Sequence, residues 1–115
     1  MLKLRIYPKN EYIITAGEIA REMYFIVKGV IEIRGVNHEL LNTLKQGQNF
    51  GEMALLDEKN PLRKANVVSQ TTVSLAVLTK KDFDSICEFF PTFLNQMLKM
   101  SQTRMDMNKK TYENL

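Results

Sequence analysis

The first two thirds of the chain consist of short apolar runs separated by glycine-containing turns, a pattern typical of all-β proteins. In several runs apolar and polar residues alternate, as expected for strands that bury one face. A short helical turn over Gly51–Leu56 and a polar loop over Asp57–Pro61 interrupt them. The runs predicted to be strands are Leu2–Ile6, Tyr12–Thr15, Met23–Val27, Val30–Arg34, Leu40–Leu44, Ala65–Ser69 and Val73–Leu78.

The last third of the chain changes to a helical period. Thr79 and Asp82, three positions apart, form a capping-box pattern that predicts the start of a helix. Apolar residues then follow at helical spacing as far as Phe90, and Pro91 suits the first turn of a second helix. We therefore expect one domain over residues 1–115: a β-barrel over about 2–79, helices over about 80–90 and 91–108, and a polar tail over 109–115.

Composition excludes several classes of protein. Hydrophobic residues make up 44% and charged residues 25% of the 115 residues, which is ordinary for a globular domain. The net charge of +3 comes from basic residues spread along the chain, so we expect no nucleic-acid partner. One cysteine and one histidine exclude a disulfide scaffold and argue against zinc or Ser-His-Asp chemistry. A helix needs about 20 apolar residues to span a bilayer, and no apolar run approaches that length, so we expect no membrane insertion.

The residues around the helical turn suggest an anion site. A glycine that opens a short helix, here Gly51, leaves backbone N–H groups unpaired, and these attract anions. Glu52 beside those donors makes sense if its carboxylate serves a ligand hydroxyl group. Arg63, at the start of the next strand, can give a phosphate a forked, charge-assisted contact. Together these three residues describe a sugar-phosphate pocket.

The segment from Phe50 to Leu56, with the following segment from Asn60 to Val67, resembles the phosphate-binding cassette of cyclic nucleotide-binding domains. Glycines upstream, such as Gly29 and Gly47, have the family's spacing as well. The resemblance covers residues 2–105 and implies a jelly-roll-like β-barrel that holds cAMP or cGMP, with a C-terminal helix closing over the base. It implies a regulatory ligand and no cofactor, metal or catalytic group, so we expect no enzyme.

The resemblance assigns roles residue by residue. Glu52 matches the glutamate that binds the ribose 2′-hydroxyl, Arg63 the arginine that pairs with the cyclic phosphate, and Arg104 a base-capping arginine of some channel relatives. Backbone N–H donors to the phosphate or sugar match Gly51, Ala54 and Ala65. The expected ligand-binding residues are Gly51, Glu52, Met53, Ala54, Arg63, Lys64, Ala65 and Arg104.

Two departures from the family's pattern stand out. Leu62 separates Pro61 from Arg63, and the spacing from Glu52 to Arg63 is longer than usual, which bears on where Arg63 lies. Lys64 stands where cGMP-preferring members carry a hydroxyl group, so we expect cAMP to be favoured or equal.

The parent protein is inferred by analogy. Residues before the last helix look like those of cyclic nucleotide-regulated potassium and cation channels, and the chain begins at the first strand. We therefore expect an excised cytoplasmic domain of a membrane protein, with the pore and linker regions as partners and a homo-oligomeric parent. Open alternatives are the regulatory domain of a protein kinase or other signalling protein, and a degenerate barrel that binds only protein. A cupin-type enzyme would need several inward histidines, and the chain has only His38.

Overall fold

The computed structural model describes residues 2–93 and residues 95, 96 and 99. Its strands form two antiparallel four-stranded sheets, in the orders β1-β8-β3-β6 and β2-β7-β4-β5. This arrangement is jelly-roll-like and confirms the predicted fold class. The elements are β1 (Lys3–Tyr7), β2 (Tyr12–Ile14), β3 (Glu22–Lys28), β4 (Val30–Arg34), β5 (Leu40–Lys45), β6 (Asn49–Phe50), α1 (Glu52–Leu56), β7 (Asn66–Ser69), β8 (Val73–Thr79) and α2 (Lys80–Phe89).

The main core lies between the two sheets. Alternate residues of β4 and β8 point inward, so Val73, Leu75 and Val77 of β8 are at most 3% exposed, as the period of two predicts. They pack against residues of the opposite sheet, including Ile31 and Ile33 of β4. Burial of these side chains supplies the main stabilisation of the barrel.

A second apolar cluster covers the outer face of the first sheet. Met23 of β3 and Leu78 of β8 turn away from the main core and pack with Phe83 of α2. Leu55 of α1, 1% exposed, belongs to the same cluster, and Phe93 packs against its edge. Therefore α1 and α2 share one hydrophobic core although more than 20 residues separate them.

The predicted helix start is confirmed. Thr79 is the N-cap of α2, and the backbone N–H of Asp82 donates to its hydroxyl oxygen at 3.2 Å. The helix ends before Phe90, and residues 91–93, 95, 96 and 99 are again helical. The part of the predicted second helix beyond residue 99, the tail over 109–115 and Arg104 lie outside the described residues. Within the described part of the chain, no helix is both long enough and apolar enough to cross a membrane.

The sequence pattern did not predict one short strand, β6. Asn49 and Phe50 pair with Phe25 and Tyr24 of β3, and both are nearly fully buried. A two-residue run carries no readable periodicity, so only its partner strand defines it. Through this pairing, β6 fixes where α1 begins.

Gly29, between β3 and β4, gives a test of the fold. Its φ is +103°, and an added Cβ would lie 2.6 Å from the Thr72 carbonyl oxygen and 2.7 Å from Val73 Cγ1. Gly47 has a similar φ of +89° but open space around it. Alanine at Gly47 therefore adds backbone strain alone, whereas alanine at Gly29 adds strain and a steric clash. We expect Gly47→Ala to cost about 1–2 kcal/mol and Gly29→Ala about 3–5 kcal/mol. Urea unfolding measures both, and equal losses would contradict the close packing at Gly29.

Candidate functional site

The turn that leads from β6 into α1 depends on a glycine. Gly51 has φ +88° and ψ −1°, a left-handed conformation that glycine adopts without strain. A Cβ at this position would lie 3.2 Å from Arg63 Nη1 and 3.3 Å from Cδ2 of Tyr24. The glycine therefore lets the backbone of the turn lie directly against the arginine side chain.

The first residue of α1 is a buried carboxylate. Glu52 is 0% exposed, whereas Met53 and Ala54 beside it are partly buried. Leu55 anchors the short helix in the second apolar cluster. The packing of α1 thus fixes where the backbone carries Glu52.

The arginine returns to this turn because its backbone is tied to the loop before β3. The N–H of Arg63 donates to the Glu18 carbonyl at 2.8 Å, and the N–H of Gly17 donates to the Arg63 carbonyl at 2.8 Å. The N–H of Ala20 also donates to the Pro61 carbonyl at 2.7 Å. These bonds belong to an isolated antiparallel bridge that fixes the end of the longer loop. The Arg63 side chain therefore reaches Gly51 despite the unusual spacing.

The side chain of Arg63 is 8% exposed and is held by two carbonyl groups. Its Nη1 donates to the Gly51 carbonyl at 2.6 Å and its Nη2 donates to the Glu22 carbonyl at 2.5 Å. Burial lowers the pKa of the guanidinium, and the nearby Tyr24, Glu22, Glu18 and Glu52 act in the opposite direction. Because a guanidinium is not deprotonated in proteins, the Arg63 side chain stays charged.

The positive charge of Arg63 makes no direct ion pair in the part of the chain that the structure describes. Both hydrogen bonds of its guanidinium go to neutral carbonyl oxygens. A guanidinium has five N–H donors, so three remain for another partner. A buried cation with neutral partners favours the arrival of an anion, because the anion supplies the missing charge.

Glu22, at the start of β3, connects Arg63 to a polar network. Arg5 Nη1 donates to Glu22 Oε1 at 2.8 Å, and the Tyr24 hydroxyl donates to the same oxygen at 2.6 Å. Burial alone would raise the pKa of Glu22, but these two hydrogen bonds, together with the charges of Arg5 and Arg63, lower the pKa below its usual value. Glu22 is therefore a carboxylate at neutral pH. Burial of Tyr24 and its hydrogen bond to Glu22 raise the pKa of the Tyr24 hydroxyl.

Three further expected site residues are Lys64, Ala65 and Arg104. Lys64 is exposed and lies 4.0 Å from a carboxylate oxygen of Asp57, a distance at which a surface pair contributes little. Ala65 is partly buried against the main core. Arg104 lies outside the described residues. The structure thus brings Gly51, Glu52 and Arg63 to one place and leaves Lys64 at its solvent edge.

Sequence reasoning gave no role to three residues beside the site: Arg5, Glu22 and Tyr24. The last two lie in a segment whose spacing resembles the family, but no local pattern indicates that the main chain of Glu22 holds Arg63. Among the described residues, no three His, Cys, Asp or Glu side chains are grouped to hold a metal ion.

The fold and site together define a β-barrel with a buried arginine beside a glycine–glutamate turn. The family profile described as "Cyclic nucleotide-binding domain" matches residues 4–88. The chain therefore belongs to the cyclic nucleotide-binding domain family.

Two relatives show the range of proteins that carry this domain. The cyclic nucleotide-gated channel beta-1 of Homo sapiens is 35% identical over 115 residues, which cover 97% of this chain and 9% of the channel. The cAMP-activated global transcriptional regulator CRP of Haemophilus influenzae is 29% identical over 116 residues, covering 97% of this chain and 51% of the regulator. The chain thus spans about half of one relative and a tenth or less of the other.

Solved structures agree on the fold. The c-di-GMP-responsive global regulator CLP of Xanthomonas campestris superimposes with a TM-score of 0.80 at 18% identity, covering 97% of this chain and 58% of that chain. A cAMP-bound PfPKA-R superimposes with a TM-score of 0.74 at 24% identity, covering 91% of this chain and 36% of that one. At these identities the likeness concerns the fold alone.

Proposed function

We propose that this domain binds a cyclic nucleotide, with cAMP favoured over or equal to cGMP, and has no catalytic activity. The observation that carries the proposal is the buried guanidinium of Arg63, whose hydrogen bonds go to two carbonyl oxygens and leave three donors for an anion. The cyclic phosphate supplies that anion. Family membership and the cAMP ligand named for PfPKA-R support the choice of ligand.

The sugar and base are assigned to the neighbouring residues. Glu52 accepts the ribose 2′-hydroxyl, while backbone N–H groups near Gly51, Ala54 and Ala65 donate to the phosphate or sugar. Lys64 has no hydroxyl to offer guanine and extends into solvent, which supports cAMP over cGMP. Arg104 remains the proposed contact to the base.

We propose further that the domain senses the ligand for a cyclic nucleotide-regulated channel. Its relatives include the cyclic nucleotide-gated channel beta-1 of Homo sapiens and the potassium/sodium hyperpolarization-activated cyclic nucleotide-gated channel 2 of Mus musculus, 30% identical over 105 residues. In this role the domain lies in the cytoplasm of a homo-oligomeric membrane protein and passes its movement to the linker and pore.

The shared apolar cluster supports a route for that movement. Leu55 of α1 and Phe83 of α2 belong to the same buried cluster, so a ligand that shifts α1 changes the packing of the cluster on which α2 rests. Phe93, in the next helical segment, packs edge-on against Phe83 with ring centroids 6.1 Å apart. Ligand binding at the turn is thereby coupled to the C-terminal helices.

Replacing Arg63 tests whether its guanidinium binds the cyclic phosphate. We expect Arg63→Ala to weaken cAMP binding in a calorimetric titration by about one to two orders of magnitude, because a charge-assisted contact of about 1.5–3 kcal/mol is lost. Two carbonyl groups also lose their donor, so titrations should be run well below the melting temperature of the variant. Lys59→Ala, an exposed basic residue of the same loop, is the matched control and should bind as the wild type does. Equal binding by Arg63→Ala would reject the proposed site.

A second titration tests Glu52. We expect Glu52→Gln, which keeps the volume of a fully buried side chain, to weaken cAMP binding by about tenfold, since a hydrogen bond to a carboxylate contributes about 1.5 kcal/mol. The affinity for 2′-deoxy-cAMP, which lacks the relevant hydroxyl, should change by less than about twofold. An equal loss for the two ligands would show that Glu52 does not serve the 2′-hydroxyl.

Hydrogen exchange tests the coupling. Saturating cAMP should change the amide protection of α2 more than that of β4, because α2 shares its core with α1 and β4 does not. The unchanged protection of β4 is the internal control. Identical protection of α2 with and without bound cAMP would contradict this route.

A further inference from the structure

A polar network beside Arg63 has no part in the proposed ligand contacts. It joins β1 to β3 across the intervening strand β8: Arg5 Nη1 donates to Glu22 Oε1 at 2.8 Å and, more weakly, to the Tyr7 hydroxyl at 3.2 Å. The Tyr24 hydroxyl donates to the same Glu22 oxygen at 2.6 Å. Glu22 thus holds two donors from two strands.

Glu22 is the point where this network reaches the ligand site. Its side chain binds Arg5 and Tyr24, while its main-chain carbonyl accepts the hydrogen bond from Arg63 Nη2 at 2.5 Å. The same residue therefore has one contact to the network and one to the guanidinium.

The network has one rigid end. Tyr24 is 4% exposed, and its ring stacks on Phe50 with centroids 4.9 Å apart and planes 20° apart. Phe50 directly precedes Gly51, whose carbonyl holds the other terminal nitrogen of Arg63. Tyr24 is therefore fixed relative to both carbonyls that bind the guanidinium.

The other end of the network is the ion pair between Arg5 and Glu22, which is open to solvent. A cavity of about 170 Å³ opens beside the network and is lined by Arg5, Tyr7, Glu18, Glu22 and Arg63, among others. The side chains of Arg5 and Glu22 are 43% and 21% exposed, so solvent reaches their contact. Since the cavity leaves space beside Glu22, the hydrogen bond from Arg5 restricts its carboxylate on that side.

We propose that Arg5 and Glu22 are positioning residues for Arg63: their ion pair fixes the Glu22 carbonyl and so holds the guanidinium in the orientation that receives a cyclic phosphate. The proposal rests on the proposed function, because it takes Arg63 as the phosphate contact. Neither residue touches the ligand. The ionised state of Glu22, whose pKa is lowered by Arg5 and Tyr24 against the effect of burial, supports a persistent ion pair.

A mutant cycle tests this inference. We expect Arg5→Met, which keeps the aliphatic stem, to weaken cAMP binding by about threefold to tenfold. Arg5→Lys, which restores a cation, should return the affinity to within about twofold of the wild type. In an Arg63→Ala background the effect of Arg5→Met should vanish. Lys3→Met, which removes a positive charge from the same strand and face, is the control and should leave the affinity unchanged.

Two results of the cycle would overturn the proposal. One is a lower melting temperature for Arg5→Met with an unchanged dissociation constant, which would make Arg5 merely structural. The other is an equal loss of affinity in the wild-type and Arg63→Ala backgrounds, which would show that Arg5 does not act through Arg63.

A ligand-free measurement separates this inference from the proposed function. The Arg63 Nε–H signal in a ¹⁵N NMR spectrum, assigned by its absence in Arg63→Ala, should shift in Arg5→Met and stay in place in Lys3→Met. If the wild type fails to bind cAMP, the proposed function fails, but this shift still decides whether Arg5 orients Arg63. An unmoved Nε–H signal in Arg5→Met would overturn the inference in either case.

Discussion

The buried guanidinium of Arg63 is the interaction on which the site depends. It joins parts of the chain that are distant in sequence, since its two terminal nitrogens bind the carbonyls of Gly51 and Glu22. A cation in such a place is stable only when its surroundings are polar and fixed. The glycine turn, the bridge to the loop before β3 and the ion pair of Arg5 with Glu22 all meet that condition. Among the described residues its hydrogen bonds go to neutral carbonyl oxygens, and in the proposed function a cyclic phosphate supplies the negative partner.

Local patterns in the sequence were sufficient to predict most of the fold. Alternation of apolar residues in β4 and β8 identified the inward faces, because a strand that buries one face repeats every two residues. Thr79 marked the start of α2 because capping is a contact between residues three positions apart. The two-residue strand β6 was missed because its only definition is its pairing with β3. Sequence patterns therefore predicted the elements that are defined by contacts between residues close in sequence.

The site was predictable in its residue types but not in its construction. The glycine, glutamate and arginine of the cassette indicated a sugar-phosphate pocket, and the longer loop before Arg63 left its position open. Backbone hydrogen bonds of Arg63 with Glu18 and Gly17 decide that position, and such bonds have no side-chain signature. The contact between Arg5 and Glu22 depends likewise on the sheet order, which places β1 and β3 on either side of β8.

The proposed function requires that the Arg63 guanidinium binds the cyclic phosphate while its main-chain partners hold it in place. A crystal structure of the domain with cAMP would show whether this contact forms. We expect a phosphate oxygen within hydrogen-bond distance of the Arg63 guanidinium, about 2.7–2.9 Å for a charge-assisted contact, with the hydrogen bond to the Glu22 carbonyl retained. A bound cAMP whose phosphate lies away from Arg63, with the guanidinium still bound only to the two carbonyls, would contradict it.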